Sequence, residues 1–217
     1  MGNVLSQSNK LPHDQLAELP GLTYMELLGN GRFMKSALCL HDDLGSIVIK
    51  VYGKRPDSPS LEPYKQHLAH VRHCLSNAWP PCSHVLPYQL WIDTPSSAFL
   101  VRRHVAFSLY DRLSTRPFLS SLEKLWLVFQ LLVALNRLHS LGLRHGDLRS
   151  ENILITSWGW LQLTDLADGI KPVSLPADNP AEFSLYFDSG GRRTTYIAPE
   201  RFYGGPGEGG KGGEGGG

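Results

Sequence analysis

The sequence predicts an α+β chain whose first half is rich in strands and whose second half is mainly helical. Three observations support this: β-branched apolar runs separated by turn residues between 22 and 104, a capped apolar helix after Ser120, and a polar loop leading into a hairpin at 144–165. The 217 residues, 41% of them hydrophobic, suffice for one large domain or two lobes. A formal charge of +1 implies no basic face and argues against a nucleic-acid partner.

The first 21 residues are polar and proline-containing, so we expect an arm ahead of a folded part that begins near Leu22. The start Met1-Gly2-Asn3-Val4-Leu5-Ser6 fits the pattern for myristoylation of Gly2 after removal of Met1. One myristoyl chain binds a membrane only marginally, so a second attachment would have to come from a partner. Three cysteines, an odd and sparse set, fit the reducing cytosol.

Two features typical of a phosphate site lie among the first predicted strands. The strands are expected at 24–28, 36–40 and 46–52. Gly29 and Gly31 between them suit a turn whose backbone passes close over phosphates. Lys50 ends an Ile-Val-Ile-Lys run, a pattern whose lysine contacts the α- and β-phosphates of a nucleotide. We therefore expect Gly29, Gly31 and Lys50 to bind a nucleotide.

Helices and further strands are expected between residues 64 and 144. A helix at 64–75 would place Leu68, Val71 and Leu75 on one face, and 85–92 and 97–105 should form the fourth and fifth strands. A short helix is expected at 108–115, and a longer one from a capping box at Ser120 and Glu123 to about His139. Its apolar residues lie on most sides, which predicts a buried helix: Leu122, Leu125, Trp126, Phe129, Leu132, Val133 and Leu135.

The stretch from Arg144 to Asp165 carries the residues expected to do chemistry. Asp147, Asn152 and Asp165 follow the spacing H-x-D-x-x-x-x-N with a later Asp-led tripeptide. Asp147 would orient or deprotonate an attacking hydroxyl, while Asn152 and Asp165 would hold Mg²⁺ against nucleotide phosphates. Arg149 could contact a γ-phosphate. The pattern predicts phosphate transfer from ATP or another nucleoside triphosphate.

A specific resemblance is carried by the segments LYDRLSTRPFL (109–119), RHGDLRSENILITSWGWLQLTDLA (144–167) and PADNPAEFSLYFDSGGRRTTYIAPERF (176–202). They closely resemble the protein-kinase-like regulatory subunit of class III phosphatidylinositol 3-kinase, a vacuolar protein-sorting kinase family. The resemblance implies a bilobal protein-kinase-like fold and non-specific serine/threonine protein kinase activity. The expected division is an arm at 1–21, a β-rich N-lobe at 22–104, a helical C-lobe at 105–203 truncated after the A-P-E motif, and a disordered glycine-rich tail at 204–217.

The resemblance also implies partners and a location. The expected partners are the catalytic subunit of class III phosphatidylinositol 3-kinase and the other subunits of its autophagy and endosomal complexes. The chain would be cytoplasmic and peripheral on endosomal and autophagosomal membranes, with membrane contact through myristoyl-Gly2.

Four departures from the kinase pattern predict weak phosphotransfer. The helix at 64–75 contains no acidic residue, Met34 replaces a third glycine, Gly146 replaces an arginine, and Ala167 replaces a glycine. Glu62 could pair with Lys50 only if the helix begins early. One alternative is therefore a nucleotide-binding scaffold without activity. Another is a small-molecule kinase of the aminoglycoside or choline type, against which the A-P-E motif and the 109–119 match argue.

Overall fold

The computed structural model describes residues 15–31, 33–54, 60–167, 170–171, 180–187 and 197. The predicted lipid site at Gly2, the A-P-E motif at 198–200 and the glycine-rich tail at 204–217 lie outside these residues. Among the described helices, none combines the length and apolar character needed to cross a bilayer.

Most of the predicted strands and helices are present in the predicted order, but the strand at 107–108 and the helix at 180–187 were not predicted. The elements are β1 (Leu22–Asn30), β2 (Lys35–His41), β3 (Gly45–Gly53), α1 (Glu62–Ser76), β4 (Val85–Leu86), β5 (Leu90–Asp93), β6 (Ser97–Arg103), β7 (Phe107–Ser108), α2 (Leu109–Ser114), α3 (Ser121–Ser140), a 3₁₀ turn (Ser150–Asn152), β8 (Ile153–Ile155), β9 (Leu161–Thr164) and α4 (Pro180–Phe187). A strand-rich first lobe and a more helical second lobe confirm the α+β, bilobal class.

The first lobe is built on a five-stranded sheet in the order β1-β2-β3-β6-β5, with antiparallel neighbours throughout. One face carries a core that includes Ile49 and Phe99. Leu16, which the sequence assigned to the N-terminal arm, is buried in this core, so packing begins before the predicted start at Leu22. An apolar side chain six residues upstream of the first strand can still reach the sheet if the chain turns back, as it does at 15–21.

The single strand expected at 85–92 is wrong, because the segment divides between two sheets. Val85 and Leu86 form β4, which pairs in parallel with β9 in a four-stranded sheet of the second lobe. Leu90–Asp93 forms β5 at the edge of the first sheet. Pro87 stands between the two pieces, and a proline has no N–H to continue a ladder. The segment therefore links the lobes instead of completing one of them.

The α2 and α3 helices begin at capping residues, whereas α1 has no side-chain cap and begins at Glu62, two residues before the predicted start. The α1 helix buries Leu68, Val71 and Leu75 along one face, as expected from their spacing. Ser108 caps α2 by accepting from the Asp111 N–H, and Ser120 caps α3 by accepting from the Glu123 N–H. Both caps are reciprocal boxes, each satisfying N–H groups that a helix start leaves open.

The expectation that α3 is buried on most sides is wrong for the described residues. Its buried residues are Leu127, Gln130, Ala134 and Leu138, which form one stripe. Leu122 is 77% exposed, and most of the other apolar residues predicted to be buried are exposed as well. Among the described elements, the β8–β9 hairpin and its neighbours cover only one side of the helix. Gln130 is fully buried, and both ends of its amide are hydrogen-bonded. Its Nε2 donates to Gly159 O at 3.0 Å and its Oε1 accepts from Leu161 N at 2.9 Å.

Candidate active site

The loop after α3 is shaped by a buried histidine. His145 Nε2 lies 2.8 Å from Thr164 O, and His145 Nδ1 accepts from Asp147 N at 3.2 Å. Because a carbonyl only accepts, Nε2 must carry the proton and Nδ1 must be the acceptor. Burial lowers the pKa of His145, which keeps this tautomer neutral. Gly146 between the two residues has φ 76, a conformation that glycine adopts without strain.

Asp147, the predicted base, is oriented by Asn152. The Asn152 Nδ2 donates to Asp147 O at 2.7 Å and to Asp147 Oδ2 at 3.1 Å. The two residues are brought together because the 3₁₀ turn Ser150–Asn152 carries the asparagine back towards the start of the loop. The amide oxygen of Asn152 takes part in neither bond, so it is the atom available to a cation.

Two cations neutralise the Asp147 carboxylate. Lys171 Nζ donates to Asp147 Oδ2 at 2.7 Å, and Arg149 Nε lies 3.5 Å from the same oxygen. Burial would raise the pKa of Asp147, but the charges of Lys171 and Arg149 outweigh it and hold that pKa below its ordinary value. Lys171 also lies 4.7 Å from the centroid of the Phe187 ring in α4. The carboxylate is therefore ionised, as a base must be, but it is already engaged.

Asp165, a predicted metal ligand, is held by two cations from the first lobe. Lys50 Nζ lies 2.7 Å from Asp165 Oδ2, and Arg102 Nε donates to Asp165 Oδ1 at 3.0 Å. Burial opposes ionisation, but Arg102 and Lys50 hold the pKa of Asp165 well below its usual range. Among the described residues it is also the one non-glycine with positive φ, at 60°. Backbone in this region costs on the order of 1–3 kcal/mol and is concentrated at functional sites.

Lys50 finds no carboxylate on α1. Glu62 is the first residue of the helix, which does begin early, yet its nearest cation is Lys65 at 3.8 Å and it is 56% exposed. The Lys50 amine pairs with Asp165 and lies 6.0 Å from the Tyr88 ring centroid. Burial, and then the charge of Asp165, raises the pKa of Tyr88, so its hydroxyl stays neutral. Lys50 therefore pairs with Asp165 and has no glutamate partner from α1.

The glycine turn joins β1 to β2 beside the same cleft. Gly29 pairs with Ser36 in the ladder, and a Cβ at Gly31 would lie 2.8 Å from Met34 O. That distance excludes any side chain at Gly31, so the turn needs glycine for steric reasons. Phe33 packs on Tyr186 of α4 with ring centroids 4.8 Å apart. The glycine turn therefore packs against α4 through Phe33.

The donor set fits a hard divalent cation in its chemistry. Asn152 and Asp165 offer amide and carboxylate oxygens, which Mg²⁺ prefers. Both Asp165 oxygens, however, already contact a nitrogen cation. The amide oxygen of Asn152 therefore fits Mg²⁺, whereas Asp165 does not fit a divalent cation while Lys50 and Arg102 contact its two oxygens.

Arg102 and Lys171 are missing from the sequence prediction. The signal for Arg102 was available: it follows the buried run 97–101, and alternation places it on the face of Leu100, away from Arg103. Lys171 offered no comparable signal, since it lies 24 residues from Asp147 and its position follows from tertiary folding alone. The roles predicted for Asp147, Arg149, Asn152, Asp165, Lys50, Gly29 and Gly31 remain predictions; the structure shows their placement.

Comparisons with known proteins agree with this geometry. Residues 22–207 match the family described as protein kinase domain. The serine/threonine-protein kinase VPS15 of Arabidopsis thaliana is 45% identical over 208 residues, covering 94% of this chain and 14% of the relative. That of Saccharomyces cerevisiae is 47% identical over 179 residues, covering 82% of this chain and 12% of the relative. The chain therefore spans a small part of the length of the curated relatives it matches.

A solved structure shows the same fold at low sequence similarity. The crystal structure of Rad53 in complex with AMP-PNP has a TM-score of 0.55 and 20% identity, covering 67% of this chain and 38% of the other. This likeness concerns the fold alone.

Proposed function

The chain belongs to the protein kinase family, and from that premise we propose that it is the nucleotide-binding kinase domain of a VPS15-type serine/threonine-protein kinase with slow phosphotransfer. The observation that carries the proposal is the pairing of Lys50 with Asp165 across the cleft at 2.7 Å. It joins a lysine of the first lobe to the predicted metal ligand at the start of the segment after β9. A cleft with this pair offers cations to the phosphates of a nucleotide bound between the lobes.

The nucleotide is ATP or another nucleoside triphosphate. The Gly29–Gly31 turn would cover its phosphates, since the clash at Gly31 shows a backbone path without room for a side chain. Lys50 would contact the α- and β-phosphates. Mg²⁺, when bound, would be held mainly by the Asn152 amide oxygen, because both Asp165 oxygens already contact protein cations, and it would neutralise charge on the phosphates.

Phosphotransfer is slow because the base is engaged. Asp147 would accept the proton of a serine or threonine hydroxyl as that oxygen attacks the γ-phosphorus, while the bond from the γ-phosphorus to the β–γ bridging oxygen breaks and the nucleoside diphosphate leaves. Its Oδ2 already accepts from Lys171 and from Asn152, at 2.7 and 3.1 Å. A substrate hydroxyl must compete with both. Arg149, 3.5 Å from the same oxygen, would contact the γ-phosphate only after turning away from Asp147.

A second candidate is a nucleotide-binding scaffold without any phosphotransfer. Two observations favour it: the engagement of Asp147 by Lys171, and the absence of a helix glutamate at Lys50. The small-molecule kinase alternative is not supported, because the relatives matched over 82–94% of the chain are named as serine/threonine-protein kinases.

The wider role follows the relatives. We infer that the chain is part of a regulatory subunit that binds the catalytic subunit of class III phosphatidylinositol 3-kinase in autophagy and endosomal sorting. It would be cytoplasmic and peripheral on endosomal and autophagosomal membranes, with Gly2 myristoylated and a partner providing the second attachment. The similarity to the VPS15 relatives and the M-G-x-x-x-[ST] start support this.

The proposal is tested first by thermal shift of the 217-residue chain with ATP and GTP in the presence of MgCl₂. A rise in melting temperature that saturates with nucleotide is expected. No shift with any nucleotide would overturn both the kinase and the scaffold candidates. Phosphate transfer from labelled ATP to a generic serine/threonine substrate is then compared between wild type and Asp147→Ala. Slow turnover in the wild type alone supports the kinase, and equal background in both decides for the scaffold.

A further inference from the structure

Arg102 is a buried cation inside the cleft, on the same sheet face as Lys50. It is only 6% exposed although it stands at the end of β6. The ladder between β3 and β6 pairs Val48 with Arg102 and Lys50 with Leu100. Residues paired across a ladder share a face, as do residues two apart along a strand. Lys50 and Arg102 are therefore diagonal neighbours on one face of a rigid sheet.

Both side chains converge on Asp165, one on each carboxylate oxygen. The distances are 2.7 Å from Lys50 Nζ to Oδ2 and 3.0 Å from Arg102 Nε to Oδ1. Arg102 is anchored further, since its Nη1 donates to Arg103 O at 3.3 Å. Two cations and one carboxylate give this point of the cleft a net charge of 2 − 1 = +1. The acidic residue of α1, Glu62, lies at the exposed helix start and contacts Lys65, so it does not reduce that charge.

A positive charge at Asp165 changes what the carboxylate can bind. Mg²⁺ needs contact with its oxygen ligands at about 2.0–2.1 Å. A divalent cation at Asp165 would lie close to both Lys50 and Arg102, and their repulsion offsets the attraction of the single carboxylate. The same field attracts a polyphosphate. Charge that a metal would ordinarily supply at this position is already provided by the protein.

We propose that Arg102 is a built-in cation that takes the place of a divalent metal at Asp165, so that this cleft binds a nucleoside triphosphate with little dependence on divalent metal. The inference rests on the nucleotide binding proposed above and adds to it the form in which the ligand is bound: a polyphosphate neutralised by Lys50 and Arg102. Asp165 then serves to position these two cations.

The test measures binding, so it does not depend on turnover. The 217-residue chain is titrated with mant-ATP, first with MgCl₂ and then with excess EDTA. The wild-type dissociation constant is expected to differ by less than about threefold between the two conditions, because protein cations already occupy Asp165. An affinity that is normal with Mg²⁺ and lost in EDTA would overturn the inference and leave the proposed function standing. No binding in either condition would overturn both.

Variants assign the effect to one side chain. Arg102→Met removes the charge and is expected to weaken binding in EDTA about tenfold, roughly the loss of one charge-assisted hydrogen bond, with Mg²⁺ restoring most of it. Arg102→Lys keeps a charge and should stay close to wild type in EDTA. The matched control is Arg103→Met. The Arg103 side chain lies on the opposite face of the sheet from Arg102, and its Nη2 donates to Gln162 Oε1 at 3.5 Å.

Further outcomes bear on the same claim. Equal losses from Arg102→Met and Arg103→Met would contradict the proposal, as would an unchanged Arg102→Met in EDTA. If circular dichroism shows that Arg102→Met does not fold, the comparison of wild type with and without EDTA still decides.

Discussion

Two carboxylates in the cleft each lie between two cations, but different structures hold them. Asp165 is paired with Lys50 and Arg102, which project from the adjacent strands β3 and β6. Asp147 is paired with Arg149 of its own loop and with Lys171, six residues beyond Asp165. The first set of cations belongs to a sheet, and the second belongs to loops.

The difference separates a fixed part of the site from a releasable part. The ladder between β3 and β6 fixes the backbone of Lys50 and Arg102, so both side chains stay within reach of Asp165 when a ligand arrives. Neither Lys171 nor Arg149 belongs to a strand, and Arg149 is the more exposed of the two partners, at 25% of its side chain against 12% for Lys171. The fixed part would bind the phosphates of the proposed nucleotide, and the releasable part would restrain the proposed base, Asp147.

The largest expected effect is a difference in unfolding free energy between a variant of Asp165 and a variant of Asp147. Asp165→Asn leaves two cations without their buried partner and should lower the free energy of unfolding by about 3–5 kcal/mol. Asp147→Asn should cost less, about 1–3 kcal/mol, because its cations are not part of a strand and Arg149, with 25% of its side chain exposed, can turn into water. Urea unfolding followed by tryptophan fluorescence measures both. Equal losses would remove the distinction between the fixed and releasable parts.

A second prediction sharpens the role of the fixed part in binding. Lys50→Met should weaken nucleotide binding by about tenfold, the value of one charge-assisted contact. The control is Lys54→Met, four residues along the same segment, whose amine contacts Asp93 and Thr94 O at the sheet edge. Fluorescence titration with mant-ATP gives both dissociation constants. If the two lysine variants bind equally well, Lys50 is not a phosphate contact.

The releasable part should respond to pH. Burial lowers the pKa of Lys171 from 10.5 to about 8, despite the attraction of Asp147. Between these two values the unfolded chain binds more protons than the folded chain, so stability attributable to Lys171 rises with pH across that window. We expect the free energy of unfolding of wild type, relative to Lys171→Met, to rise by on the order of 1 kcal/mol over it. A difference that stays flat or falls would show that Lys171 is not buried beside Asp147.

The smallest predicted effect is on turnover. Lys171→Met removes a competitor for Asp147 Oδ2 and should raise single-turnover phosphotransfer about threefold, without changing nucleotide affinity. The matched control is Lys124→Met, in the first turn of α3, at the opposite end of this helix from the loop that carries Asp147. A lower rate in Lys171→Met would mean that Lys171 assists transfer and does not restrain the base.

Much of the fold could be predicted because it depends on local sequence. The caps at Ser108 and Ser120 require only a hydroxyl and a carboxylate three residues apart, and the structure has both. The strands of the first sheet follow from β-branched runs. The division at Pro87 was missed although proline signals it, because the two short pieces together looked like one apolar run. The exposure of α3 was missed because an apolar pattern cannot show which neighbours cover it.

The site was partly predictable for the same reason. Asp147 and Asn152 are five residues apart in one loop, and their hydrogen bond follows from that loop. Lys50 and Asp165 meet across the lobes; the sequence pattern assigned both to one nucleotide site but did not predict their direct pairing. The contacts of Arg102 and Lys171 depend on strand pairing and on the path of the chain after Asp165. Neither the strand pairing nor this path can be derived from the spacing of residues along the sequence.

The most direct test of the difference between the two carboxylates is a pair of double-mutant cycles in the unfolding free energy. One cycle combines Arg102→Met with Asp165→Asn, and the other combines Lys171→Met with Asp147→Asn. Such cycles isolate the pairwise coupling from the separate costs of each substitution. We predict a coupling energy for Arg102 and Asp165 that exceeds the one for Lys171 and Asp147 by about 1 kcal/mol or more. Equal couplings, or a larger one for Lys171 and Asp147, would contradict the account.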